Sequence, residues 1–230
     1  MTTNTRDPFL AQVAAAVRAG NKFRETEQRS LPASVGYQGA GDDPVARFEQ
    51  ELIKVGAQCI SVLDHAQLVR AVASLIDRYA VRRVVRSDAP LFTQLGLDAI
   101  LRAAGVELTT IADLTALPES DRQERLFAAD LGIAAPDWVI AETGTLVYVA
   151  GPAQTRSATL LPLVHLAVVE RRRVLSDLID LPPRLVERSD NGVLPRNVVL
   201  VTGPSKTGDI ELKLTTGVHG PGEVHVWICD

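Results

Sequence analysis

Ala141-Glu142-Thr143-Gly144-Thr145 sets a carboxylate, two hydroxyls and a glycine side by side. The group stands between two apolar runs, Trp138–Ala141 and Leu146–Ala150, that read as buried strands. An ionised glutamate buried without partners is costly, so Glu142 must face a solvated cleft or be held by specific donors. A carboxylate in a cleft can take a proton or attack an electrophile. The same residues serve equally as a plain strand–turn–strand hairpin with Thr143-Gly144 at its corner.

A second polar group follows Val198-Val199-Leu200-Val201. It runs Thr202-Gly203-Pro204-Ser205-Lys206-Thr207-Gly208-Asp209-Ile210-Glu211. The pattern predicts a strand, a loop and then a short helix over Asp209–Thr215. Free backbone N–H groups at a helix start, with Lys206 and the hydroxyls of Ser205 and Thr207, suit an anion. Asp209 as a simple helix cap is the plainer alternative. The GxxxxGK[ST] spacing is absent, which excludes ATP hydrolysis by a Walker loop.

Next comes Gly217-Val218-His219-Gly220-Pro221-Gly222, where glycines and a proline leave the imidazole of His219 little cover. That predicts an exposed ring able to act as acid, base or donor. His165 and His225 lie in apolar strand runs and are expected to be structural, and His65 to be a surface residue. No spacing of histidines, cysteines and carboxylates supports a metal site, and no Gly-x-Ser-x-Gly elbow is present.

These residues need elements to position them. Asp7 to about Ala19 reads as a helix with Phe9, Leu10, Val13, Ala14 and Val17 on one face, followed by a polar arm to Gly41. Asp42-Asp43-Pro44 starts a second helix ending near Gly56. Strands over Ala57–Leu63, Arg82–Arg86 and Val106–Ile111 then alternate with helices over Asp64–Tyr79, Pro90–Ala104 and Pro118 to about Leu131. Such alternation predicts a mainly parallel sheet with helices on its faces. Strands crowd together afterwards: Asp137–Ala141, Thr145–Ala150, Leu163–Val169, Asn197–Val201 and Val224–Cys229. Between them, Val174 to about Val186 reads as a helix broken by Pro182-Pro183, and Asp190-Asn191-Gly192 as a turn. The expected domains are 1–41, a helix and extended arm, and 42–230, an α/β domain.

Loops leaving the carboxyl ends of parallel strands converge on one edge. If the strands before Glu142 and Ser205 point the same way, Glu142, Thr143, Ser205, Lys206, Thr207 and Asp209 share one cleft. His219 precedes its strand and joins them only if the chain delivers it back.

Composition narrows the function classes. The 230 residues are 46% hydrophobic with a formal charge of -4 and a pI of about 5.6. That supports a substantial core and offers no basic field for nucleic acid. No apolar run reaches the roughly 20 residues of a membrane span, and the amino terminus lacks a signal-peptide pattern. A cytoplasmic protein is expected. Cys59 and Cys229 are too few for an ordinary four-cysteine cluster, so electron chemistry would need a centre on another chain.

The ordered groups Ala141–Thr145, Leu161-Pro162-x-x-His165, Pro204–Glu211 and Gly217–Pro221 resemble the LUD domain family of lactate utilization protein C, over roughly Asp43–Asp230. The more usual Ser-Arg-Thr-Ala-Asp-Ile-Glu wording becomes Ser205-Lys206-Thr207-Gly208-Asp209-Ile210-Glu211, which keeps the charge but loses the bidentate guanidinium. The resemblance implies a three-layer α/β/α sandwich with a mainly parallel sheet, like the NagB/RpiA/CoA-transferase group. It implies a part in oxidation of L-lactate to pyruvate with iron–sulfur partner subunits of the A and B type, no cofactor on this chain, and room for self-association. Glu142 and His219 are then the catalytic candidates. Thr143, Gly144, Thr145, Ser205, Lys206, Thr207, Asp209, Glu211 and Gly220 are the candidate contacts to a small anion. Two other functions fit the same residues: a transferase or isomerase on a CoA ester or sugar phosphate with Glu142 as nucleophile or base, and a non-catalytic assembly module.

Overall fold

Strand alternation builds a layered domain. The computed structural model describes residues 6–21, 39–62, 64–151, 153, 156–189, 195, 197–208 and 214–230. The chain divides into two compact units, Met1–Tyr37 and Gln38–Asp230. In the first, α1 (Arg6–Asn21) is helical as predicted, with Phe9, Leu10, Val13 and Val17 exposed.

In the second unit six strands form an all-parallel sheet. Their order is β1 (Gln58–Val62), β12 (Glu223–Cys229), β7 (Val164–Glu170), β4 (Leu131–Ala134), β2 (Arg83–Arg86) and β3 (Glu107–Thr110). Alternate residues of each strand point to opposite faces. Val84, Leu131, Ile133, Leu166, Val168 and Trp227 face α3 (His65–Tyr79), α4 (Pro90–Gln94) and α5 (Leu97–Ala103). Ala134, Ala167, Val169, Val224, Val226 and Ile228 face the other way, onto Phe48 and Leu52 of α2 (Pro44–Val55).

That second face carries more than helices. A four-stranded sheet, β8 (Val174–Leu175), β5 (Trp138–Ile140), β6 (Thr145–Val149) and β9 (Val198–Val201), packs beside α2 through Val139, Leu146 and Tyr148. Farther along, Val85 meets α6 (Ile111–Ala116), α7 (Glu119–Phe127) and α8 (Arg156–Leu160). The outer face of the small sheet is covered by α9 (Leu181–Glu187) through Leu181 and Leu185. The α/β/α sandwich with its mainly parallel sheet is therefore present, with a third layer shared between helices and strands. No helix of the described residues is long and apolar enough to cross a membrane.

Several caps form as the residue types dictate. The Asp43 carboxylate accepts from the Val45 and Ala46 N–H groups at 3.1 Å, and Asp64 from Gln67 at 2.7 Å. Other expectations need correction. The helix predicted to run to Leu131 stops at Phe127, and Leu131–Ala134 is a central strand. Val174–Leu175 is a strand, and Pro182-Pro183 opens α9 rather than breaking a longer helix, since proline suits a first turn. The helix predicted over Asp209–Thr215 is absent at its described end. Lys206–Gly208 (β10) pairs antiparallel with Leu214–Thr216 (β11), where β-branched Thr207, Thr215 and Thr216 favour extended backbone. The turn expected at Asp190-Asn191-Gly192 lies outside the described residues.

A buried polar chain ties the two sheets together. His165 on β7 bonds the Gly132 carbonyl of β4 through Nδ1 at 3.0 Å and Tyr148 Oη of β6 through Nε2 at 2.7 Å. The carbonyl can only accept, so Nδ1 carries the hydrogen and Nε2 accepts from the tyrosine hydroxyl. Burial pushes the imidazole down from its ordinary 6.5 to about 4, so the ring is neutral. His225 is structural too. Its Nε2–H donates to Tyr79 Oη at 2.9 Å, and that hydroxyl donates to Glu223 at 3.0 Å.

Because the unfolded His165 binds a proton below pH 6.5 and the folded one does not until about pH 4, stability contributed by the neutral ring is complete above 6.5. It falls by about 3 kcal/mol as pH drops to 4. Burial also pushes His225 down to about 4, so urea titrations across that range should show a larger loss in the natural protein than in His165→Gln, where only the His225 part remains. Parallel pH curves for the two would contradict the assignment.

Candidate functional site

Glu142 sits in the turn joining β5 to β6, and its position is set by packing. Gly144 has φ 64°, and a Cβ there would lie 2.7 Å from the Leu52 nitrogen of α2. Only glycine allows both the left-handed backbone and this approach. The turn is thus pressed onto α2, while the Glu142 N–H donates to the Ser176 carbonyl at 3.1 Å. The Glu142 side chain is half-buried, and among the described residues its carboxylate has no hydrogen-bond partner.

The Thr202–Lys206 loop rests on the same helix. Gly203 has φ 77°, and a Cβ there would lie 2.8 Å from Val55 Cγ2. Lys206 reaches the Val55 carbonyl with its Nζ at 2.5 Å, a cation at the negative end of α2. Hydroxyls join the two loops. Thr143 Oγ1 and Thr145 Oγ1 are 2.7 Å apart, and Thr145 Oγ1 and Thr202 Oγ1 also 2.7 Å. This follows from register: β6 pairs with both β5 and β9 in antiparallel fashion, with Leu146 opposite Val201. Hence β5 and β9 run the same way, and the polar loops after them meet.

The Gly217–Gly222 loop closes the group. The Ser205 N–H donates to the Pro221 carbonyl at 2.9 Å and the Ser205 carbonyl accepts from Gly217 at 3.0 Å. A Cβ on Gly220 would lie 3.4 Å from Ser205 Cβ. Ser205 is half-buried and His219 exposed.

The structure thus brings together Thr143, Gly144 and Thr145 with Thr202, and Ser205 with Gly220. Lys206 is engaged with α2, and Thr207 is half-buried in the β10–β11 hairpin. Asp209 and Glu211 lie outside the described residues. The predicted location needs correcting in one respect. These loops leave the carboxyl end of the small sheet, not of the parallel sheet. They stand at the amino edge of the latter, since Val55 leads into β1 and Pro221 into β12. The helix start proposed as an anion cradle, at Asp209, lies outside the described residues, and Lys206–Gly208 before it is a strand.

The carboxyl edge of the parallel sheet holds a different feature. A cavity of about 650 Å³ opens beyond β2, β4 and β7. It is lined by Trp138 and Val149, the far ends of the strands whose near ends carry the Glu142 turn. None of the candidate residues that are described lines it. The signal available was Arg171-Arg172-Arg173, a charge run directly after a buried strand.

Neither cysteine is poised for metal chemistry. Cys59 and Cys229 belong to neighbouring strands, three register steps apart and on opposite faces. Burial pushes Cys59 up to about 12 and Cys229 up to about 11. Among the described residues no group of three or more histidines, cysteines and carboxylates is arranged to hold a metal ion.

The LUD domain family pattern matches residues 45–229. The lactate utilization protein C of Halalkalibacterium halodurans is 31% identical over 221 residues, covering 94% of each chain. That of Bacillus subtilis is 28% identical over 233 residues, covering 96% of this chain and 94% of its own. Among solved structures, a DUF162 family protein from Deinococcus radiodurans superposes with a TM-score of 0.58 at 20% identity, covering 81% of this chain and 96% of its own. The last likeness speaks to the fold.

Lys206 here acts on the helix. Replacing it in Lys206→Met should lower stability by about 1 kcal/mol, read from the urea midpoint at constant slope. An unchanged midpoint would mean that the bond to Val55 contributes nothing.

Proposed function

Because the chain belongs to the LUD domain family, we propose that it serves lactate utilization, the role that its relatives' names give to those proteins. Within that role it takes part in oxidising L-lactate to pyruvate, with iron–sulfur partner subunits receiving the electrons.

The reaction removes two electrons and two protons from the substrate's hydroxyl-bearing carbon and its hydroxyl. The donor set of this chain does not fit a cluster, since its two thiols face apart and are held protonated. The electrons therefore pass to a centre on another chain, and this chain contributes binding and proton handling.

The observation that carries the reading is the Glu142 turn. A half-buried carboxylate without a described partner stands beside a chain of threonine hydroxyls fixed to a rigid helix. In this reading Ser205, Thr143 and Thr202 donate hydrogen bonds to a small carboxylate. Lys206, close by at the end of α2, offsets its charge. Glu142 accepts the hydroxyl proton, with His219 at the exposed rim as relay.

Glu142→Gln preserves size and removes the base. In cells that depend on this protein for growth on lactate, it should reduce lactate consumption at least tenfold while leaving the melting temperature unchanged. Normal growth on lactate with the variant would contradict the role of Glu142. Turnover of lactate by the isolated natural chain with an artificial acceptor would contradict the division of labour.

A further inference from the structure

The cavity at the carboxyl edge lies where the chain changes direction. After β2 the chain passes to α4 and α5 on one face of the parallel sheet. After β4, the neighbour of β2, it passes to β5 and β6 on the other face. Adjacent strands whose connections leave to opposite faces open a crevice between their carboxyl ends, the usual seat of a ligand in an open α/β sheet. The cavity occupies that point, with Asp88 and Ala89 following β2 and Ala135 and Pro136 following β4.

Its lining has two kinds of residue. Pro90, Leu91, Trp138, Val149 and Val168 are apolar. Four arginines stand with them, Arg172 and Arg173 just beyond β7 and Arg184 and Arg188 on or after α9. Carboxylates are present but engaged. Asp137 pairs with Arg188 and accepts the Val149 N–H, Glu170 pairs with Arg172 at 2.6 Å, and Glu187 with Arg184 at 3.0 Å. Asp88 pairs with Arg86 at 3.2 Å and accepts the Ala112 N–H at 2.8 Å. Asp137 and Glu170 are sunk at the base of these pairs, whereas the four guanidinium groups are about half exposed or more. Each guanidinium has five N–H donors, and these ion pairs use one or two. Arg188 also lies over the Trp138 ring, 5.7 Å from its centroid.

A two- or three-carbon acid would leave most of about 650 Å³ unfilled and needs one guanidinium, not four. We propose that this cavity binds an organic phosphate of nucleotide size, with its phosphates on the arginines and a planar apolar group against Trp138 and Leu91. The site is separate from the Glu142 turn. The two lie at opposite ends of β5 and β6, a separation of about 15 Å for a five-residue strand.

ADP is the probe, with pyrophosphate as its counterpart lacking the planar group and L-lactate as the small-acid control. Titration of the full chain with ADP should saturate, raise the melting temperature and change tryptophan fluorescence through Trp138. Pyrophosphate should bind at least tenfold more weakly, and lactate should leave the Trp138 signal unchanged. Arg173→Ala with Arg184→Ala, the first in a long 3.6 Å pair and the second in an exposed one, should weaken ADP at least tenfold with little change in the unliganded melting temperature. Glu142→Gln should bind ADP as the natural protein does, so this result stands or falls apart from the lactate reading. Absence of saturable ADP binding, equal affinity for pyrophosphate, or ADP binding untouched by the arginine double variant would each overturn the proposal.

Discussion

The last two turns of α2 are the surface on which the polar loops are cast. Gly144 meets the backbone at Leu52, Gly203 meets Val55, and Lys206 bonds the Val55 carbonyl. Phe48 and Leu52 of the same helix are fully buried, packed against residues of both sheets. Burying each is worth roughly 2–3 kcal/mol, which makes α2 a firm anvil rather than a mobile flap. The loops inherit that firmness, and the Thr143–Thr145–Thr202 hydroxyl chain connects them. The backbone that carries Glu142 is thereby held in place before any substrate arrives.

The His165 chain has a complementary part. By linking β4, β7 and β6 it holds the small sheet in register over the parallel one. Two distinct ends of the β5–β6 hairpin result, one at the Glu142 turn and one at the arginine-lined cavity. A single short hairpin thus spans the domain between two chemically different environments, and a change in its seating would reach both.

Much of this was legible because the residues involved act locally. Asp43-Pro44 and Asp64 start helices by satisfying nearby N–H groups, and apolar runs of strand length became strands. That the turn after β5 would meet the start of the loop after β9 was also readable, as a condition on strand direction that β5 and β9 satisfy, and Thr145 and Thr202 make that contact. What escaped depends on distant partners. Leu131–Ala134 is four residues long, contains Gly132 and follows a helix, so nothing local marks it as a central strand; its pairing with β2 and β7 does. The pairing of β10 with β11 escaped because, in sequence, an Asp after a Gly-rich loop reads as a helix cap. The four-stranded sheet escaped as a unit because its strands come from separated parts of the chain, and the cavity escaped with it.

The account rests most directly on contact between the turn after β5 and the loop after β9. Thr145→Cys combined with Thr202→Cys replaces two hydroxyls 2.7 Å apart with thiols at facing strand positions, a geometry a disulfide can span. Mild oxidation of the double variant, followed by mass analysis of the linked peptides, should show near-complete bonding between residues 145 and 202, with Cys59 and Cys229 still reduced. New thiols that stay free, or pair elsewhere, would mean the two loops do not meet and that no shared site exists there.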